Sequence, residues 1–326
     1  MSNTLKFGVD LPVFGSCNFP DNDKIPGFEE MRGMVEKIDE GEFQSVWIAD
    51  HLMNSMGSMP TLRRREYFHR SCLEAWTTLS SLSTITNKVR LSNKVLCNLF
   101  RNPALLAKMA STLDVISNGR FTLALGAAWF KEECESYGIP WYPYVERVER
   151  LRESIKVIKT LWTEKVANFE GKHYSVTDAY LEPKPIQKPH PPIWVGGSSV
   201  SMMNIVAEDC DGWDVGGTPD GLRMKVEELG KVCGKYGRSR NDITISHSTP
   251  VLKAEDYETA VKLLKPAGDL NKMNVEDYPA GWLLGTERDI VDQVEAFSKA
   301  GTDLLIVVLE SDQVDWFNEA IIPSFV

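Results

Sequence analysis

A chain of 326 residues, 43% apolar and 25% charged, has the composition of an ordinary folded protein, and its length suits one α/β barrel carrying insertions. Its formal net charge of −10 argues against a nucleic-acid partner, because neutralising phosphates needs a basic face. No apolar run approaches membrane-spanning length, and Met1-Ser-Asn-Thr-Leu-Lys6 lacks the apolar stretch of a secretion signal, so no membrane partner and a cytoplasmic location are expected.

In chain order, Lys6–Leu11 and Ser45–Ala49 read as strands on either side of an amphipathic helix over Gly27–Glu40 that stops at Gly41. A helix at Glu74–Thr86 leads to a strand at Val89–Leu96. A helix at Ala104–Ser117, set behind Pro103 and closed by Asn118-Gly119, leads to a strand at Phe121–Leu125. Val145–Trp162 places Val148, Leu151, Ile155, Ile158 and Leu161 on one helical face. The remaining strands are Pro192–Val195, Gly212–Val215, Ile243–Ser246 and Leu304–Leu309. They alternate with helices at Val200–Glu208, Leu222–Tyr236, Asp256–Leu264 and Glu287–Lys299. Continuous apolar runs such as Leu304-Leu-Ile-Val-Val-Leu309 suit strands covered on both faces, as in parallel sheets.

Strict alternation of strand and helix predicts a single (β/α)8 TIM barrel domain over 1–326. An open doubly wound sheet would carry a Gly-x-Gly-x-x-Gly turn after its first strand, where this chain has Leu11-Pro-Val-Phe-Gly-Ser16. Leu52–Ser71, Thr163–Pro191 and Lys265–Gly285 break the repeat and read as loop insertions.

Barrel active sites are built from the residues that follow the strands. Here these include Asp50-His51, Lys94–Asn98, Gly126–Trp129, Gly196–Ser199, Gly216–Thr218 and His247–Pro250. His51 suits proton transfer, with the Asp50 carboxylate beside it to tune its charge; a hydrogen-bonded pair closing the barrel mouth is the alternative. Gly196, Gly197, Ser198 and Ser199 open a helix. They suit either a phosphate held by backbone amides or a tight turn capped by a serine. Gly126 and Ala127 would admit a flat ring that Trp129 could wall, although Trp129 could equally fill core.

Other chemistries find little support. The six cysteines (Cys17, Cys72, Cys97, Cys134, Cys210 and Cys233) form no Cys-x-x-Cys pair, and reduced thiols are expected. The five histidines form no His-x-His or His-x-x-x-His pair, so no metal site is expected. His69, His173 and His190 fall in insertions and are expected on the solvated surface. Arg147, Arg150 and Arg152 are expected as a solvated helix face with glutamate partners.

The wording of the chain adds a resemblance. Val46-Trp-Ile-Ala-Asp-His51, Glu74-Ala-Trp-Thr-Thr-Leu79, Arg101-Asn-Pro-Ala-Leu-Leu-Ala-Lys108 and Thr112-Leu-Asp-Val-Ile-Ser-Asn-Gly-Arg120 resemble, in this order, the luciferase-like monooxygenase superfamily. So do Leu125-Gly-Ala-Ala-Trp-Phe130, Glu182-Pro-Lys-Pro-Ile-Gln187, Pro191-Pro-Ile-Trp-Val-Gly-Gly197 and Asp211-Gly-Trp213. Leu99 to Phe130 is most similar to the subgroup of F420-dependent oxidoreductases. The resemblance implies a barrel that binds the deazaflavin coenzyme F420, or alternatively FMN, at the strand carboxyl ends. It implies a third-strand bulge at Lys94-Val95 behind the ring, a phosphate on Gly196–Ser199, and His51 with Asp50 at the reacting edge. It also implies a small-molecule substrate, a separate flavin or F420 reductase, and a homodimer. The family's sugar-phosphate dehydrogenases carry a tryptophan shortly after Asp-His and a glutamate after the fourth strand. Ser55 or a neighbour and Trp129 stand there in this chain, a departure from that substrate and that acid–base scheme.

Overall fold

The structure, a computed structural model, describes residues 4–13, 27–53, 72–264 and 281–326. Cys17, Ser55, His69 and most of the first and third expected insertions lie outside the described residues. In chain order the elements are β1 (Lys6–Asp10), α1 (Phe28–Glu40), β2 (Ser45–Ile48), α2 (Ala75–Leu82), β3 (Arg90–Asn93), β4 (Leu96–Cys97), α3 (Pro103–Ile116) and β5 (Phe121–Gly126). Then come α4 (Lys131–Ser136), α5 (Tyr144–Thr163), β6 (Ala167–Glu170), β7 (Ser175–Ala179), β8 (Ile193–Gly196), α6 (Val200–Asp209) and β9 (Gly212–Asp214). The chain ends with α7 (Pro219–Lys235), β10 (Thr244–Lys253), α8 (Tyr257–Leu264), β11 (Leu283–Gly285), α9 (Glu287–Lys299), β12 (Leu304–Val308) and short C-terminal turns.

Among the described residues, β1, β2, β3, β5, β8, β9, β10 and β12 pair in parallel, each with the next. β12 returns to β1 in the register Lys6↔Leu304, so the sheet closes. This is the (β/α)8 barrel expected. Closure leaves none of these eight as an edge strand, and every strand faces both a helix layer and the barrel interior.

Alternation along the strands sorts the core. Val46 and Ile48 pack outward against the helices, whereas Trp47 points inward to a separate cluster with Ala124, Trp194, Leu304 and Ile306. The Trp47 and Trp194 ring centroids are 5.2 Å apart. Gly212 is required beneath this plug, because a Cβ there would collide with the Trp194 indole.

Three sequence expectations change. Val89–Leu96 is not one unbroken strand: it divides into β3 and β4 around a cis Lys94–Val95 peptide, at the place where the resemblance put the third-strand bulge. Thr163–Pro191 is not loop alone, since β6 and β7 form an antiparallel hairpin in it. Nor does the seventh strand end at Ser246: β10 runs on to Lys253, and its extension pairs with β11, which lies at the end of the third expected insertion. The helix starts follow local chemistry: Asn102 caps α3 ahead of Pro103, Ser199 caps α6, and Thr286 with Asp289 forms a capping box on α9.

Candidate active site at the carboxyl ends of the strands

The tryptophan plug separates two cavities. The larger, about 750 Å³, opens at the amino-terminal mouth among Ser45, Arg90, Thr122 and Thr244. The smaller, about 410 Å³, lies at the carboxyl ends of the strands. Volume favours the first, but barrel chemistry sits at the carboxyl face, and the second holds the titratable groups at strand ends. Asp50, His51, Lys94, Val95, Gly126, Ala127, Trp129, Gly196, Gly197, Ser198 and Ser199 all border it.

His51 follows β2. Its Nδ1 lies 3.0 and 3.1 Å from the two carboxylate oxygens of Glu133, a residue of α4 that is 2% exposed. Oε1 of Glu133 also accepts from the Leu52 amide at 2.7 Å and the Met53 amide at 3.2 Å. The carboxylate hydrogen-bonded to His51 is thus not that of its sequence neighbour. Asp50 is instead taken up by Arg101, which donates to both its oxygens at 2.8 and 2.9 Å, and by the Cys97 amide at 2.9 Å. Arg101 donates in addition to Glu74, the N-cap of α2. Asp50 therefore ties β2, β4 and α2 together.

At the cis Lys94–Val95 step, the Val95 side chain lies across two glycines. A Cβ on Gly126 would come within 2.7 Å of it, and one on Gly196 within 2.9 Å. These glycines make room for Val95, which packs on the tryptophan plug and presents an apolar wall to the cavity. Below it, the Lys94 ammonium pairs with Asp10 at 2.5 Å. Burial raises the Asp214 carboxyl above the ordinary carboxylate range, against the opposing pull of Lys94 and of a 2.9 Å hydrogen bond from Ser246.

The loop after β8 does what its serines suggested for a cap: Ser199 Oγ accepts from the Met202 amide at 3.2 Å. It also meets the Tyr144 hydroxyl at 2.5 Å. Gly197 has a positive φ of 122° and donates its amide to Asp214 O. The first-turn amides of α6 have no partner within the helix, so this end of the cavity is the one suited to an anion. Trp129 is 54% exposed and is therefore not core. It stacks on Phe130 at 5.3 Å, and both rings meet His51 edge-on.

Glu133, Asp214, Phe130 and Tyr144 border the cavity and were not singled out in the sequence. Neither Glu133 nor Asp214 offered a signal: Glu133 belongs to α4, a short helix not assigned from the sequence, and Asp214 lay inside an assigned strand. Two surface expectations are corrected. The His173 imidazole is only 5% exposed and bonds Glu149 through Nε2 at 3.1 Å. Arg147 is no solvated charge: its guanidinium donates to the carbonyls of Ala127 and Ala128, where Ala128 has a positive φ of 65°. Arg150 keeps its glutamate partner, Glu146, and Arg152 finds Glu208.

A closed parallel barrel with an imidazole, a buried carboxylate and an anion-ready helix start around one cavity has the design of a small-molecule enzyme. Residues 12–304 match the luciferase-like monooxygenase family, and the chain belongs to it. The FMNH(2)-dependent dimethylsulfone monooxygenase of Pseudomonas putida is 28% identical over 283 residues, which span 77% of this chain and 78% of that protein. The F420-dependent glucose-6-phosphate dehydrogenase of Amycolatopsis mediterranei is 34% identical over 174 residues, 52% of this chain and 49% of that one. Among solved structures, an F420-dependent secondary alcohol dehydrogenase in complex with an F420-acetone adduct superposes with a TM-score of 0.81 at 18% identity. It covers 99% of both chains and shares the fold.

Proposed function

We propose that this oxidoreductase moves hydride between coenzyme F420 and a small organic substrate, with His51 giving or taking the accompanying proton. The observation that carries the reading is the union, in one cavity, of the Val95 wall, the Ser198–Ser199 helix start and the His51–Glu133 pair. The residues fit the group: Val95 offers an apolar face to a flat ring, and the start of α6 offers amides and hydroxyls to its phosphate. When bound, the deazaflavin supplies the hydride chemistry. The chain's own residues orient the ring, wall it from water with Trp129 and Phe130, and handle a proton at His51. The identity to an F420-dependent dehydrogenase supports this reading.

A second reading has FMNH2 in the same cavity, delivered by a separate flavin reductase for monooxygenation. The longer match, to the dimethylsulfone monooxygenase, supports it. Both readings use His51 alike, and neither requires a particular oligomer. Replacing His51 by Ala should leave cofactor affinity within about twofold and lower turnover by about 10²–10⁴-fold, the usual worth of a positioned acid or base. Turnover that survives the change intact would remove His51 from the mechanism.

A further inference from the structure

The pairing of His51 with Glu133 decides which ring nitrogen serves the cavity. Neutral imidazole carries one proton, and the nitrogen that holds it is set by the hydrogen bond the ring makes. A carboxylate only accepts, so Nδ1 facing the Glu133 oxygens must be the donor. Glu133 is itself fixed. The Leu52 and Met53 amides hold Oε1, and its 2% exposure keeps water from competing. Asp50, the sequence neighbour of His51, is committed to Arg101 and the Cys97 amide.

From this geometry we propose that Glu133 is a positioning residue: it holds His51 in the Nδ1–H tautomer, so that protons pass to and from the substrate at Nε2. The inference rests on the reading of His51 as the proton-handling group. In the forward direction a substrate O–H or N–H bond breaks, its proton joins Nε2, and its electron pair stays with the substrate. The resulting imidazolium keeps its Nδ1 proton and is stabilised by the Glu133 carboxylate, which takes no proton. The return of the proton from Nε2 reverses each step. A neutral acid or amide at position 133 would not provide this stabilisation.

The backbone around Glu133 makes the test sharp. In Glu133→Gln the Leu52 and Met53 amides would keep the amide oxygen at the Oε1 position. The NH2 group would then fall where Oε2 now sits, 3.0 Å from Nδ1. Oε1, 3.1 Å from Nδ1, would remain taken up by the two amides, so Nδ1 would accept from the NH2 group and the ring proton would move to Nε2. Nitrogen NMR on the cofactor-free chain, with 15N-labelled histidine and assignment through His51→Ala, reads the tautomer directly.

The expected result is Nδ1–H in the wild type and Nε2–H in Glu133→Gln. It should be accompanied by a fall in kcat of about 10²–10⁴-fold while KM and cofactor affinity stay within about twofold. Glu133→Asp, which still only accepts, should retain Nδ1–H and recover part of kcat even if the glutamine variant folds poorly. In the His51→Ala background, Glu133→Gln should cost less than about twofold more. An Nε2–H tautomer in the wild type would overturn the proposal, as would an equal kcat loss with and without His51. Unchanged turnover in His51→Ala would defeat the reading of His51 and the catalytic half of this inference, whereas the tautomer judges Glu133 without any cofactor present.

Discussion

The imidazole of His247 lies on β10, 3% exposed, with its ring stacked 4.4 Å from Phe297 of α9 and its Nδ1 3.2 Å from the Val215 carbonyl. Burial pushes its pKa down from 6.5 to about 4. A folded value below the unfolded one means that the unfolded chain binds the extra proton first. The stabilisation is therefore complete above about pH 6.5 and is lost as pH falls toward 4, by up to about 3 kcal/mol. Urea unfolding at several pH values should show this fall in the wild type and a flatter slope in His247→Gln. Parallel slopes would remove His247 as the source. His51, half-buried beside Glu133, is used differently by the same fold. The histidine at a strand end, bordering the cavity, was legible from sequence order because strand ends face the site. The carboxylate that holds it was not, because α4 and β2 meet only through the closed barrel, 82 residues apart in the chain.

Arg101 and Asp50 act between elements. Arg101, just ahead of α3, brings its guanidinium to the end of β2 and to the N-cap of α2; its side chain is 11% exposed and that of Asp50 1%. Removing the cation leaves a buried carboxylate with one amide donor, and a broken pair of this kind costs about 3–5 kcal/mol. Arg101→Met should lower the urea midpoint accordingly, and Asp50→Asn in the same chain should recover part of the loss. A loss under about 1 kcal/mol would show the three elements held by packing alone. At this scale the apolar runs revealed every barrel strand, because buried parallel strands need continuous apolar sequence. Their limits were less visible. The break at Lys94–Val95 makes β3 and β4 from one run, and the extension of β10 exists because β11 pairs with it. Both depend on partners distant in sequence, which local periodicity does not record; the first was placed only by the resemblance.

For the whole molecule, an acidic chain with net charge −10 presents its candidate phosphate end as a helix start with two serines and Tyr144, not as a basic patch. That end was readable as Gly196-Gly-Ser-Ser199, although capping and anion binding gave the same local pattern. In the structure Ser199 caps α6 and also borders the cavity. Fluorescence titration of the purified chain with F420 and with FMN, repeated on Ser199→Asp, reads which cofactor this cavity takes. Asp caps a helix as well as Ser, so α6 should keep its start while the added charge repels a phosphate. Saturable binding of F420, tighter than FMN and weakened about tenfold or more in Ser199→Asp, is the predicted result. Tighter FMN binding would move the chain to the monooxygenase reading, and binding of neither, or binding indifferent to Ser199→Asp, would contradict a cofactor in this cavity.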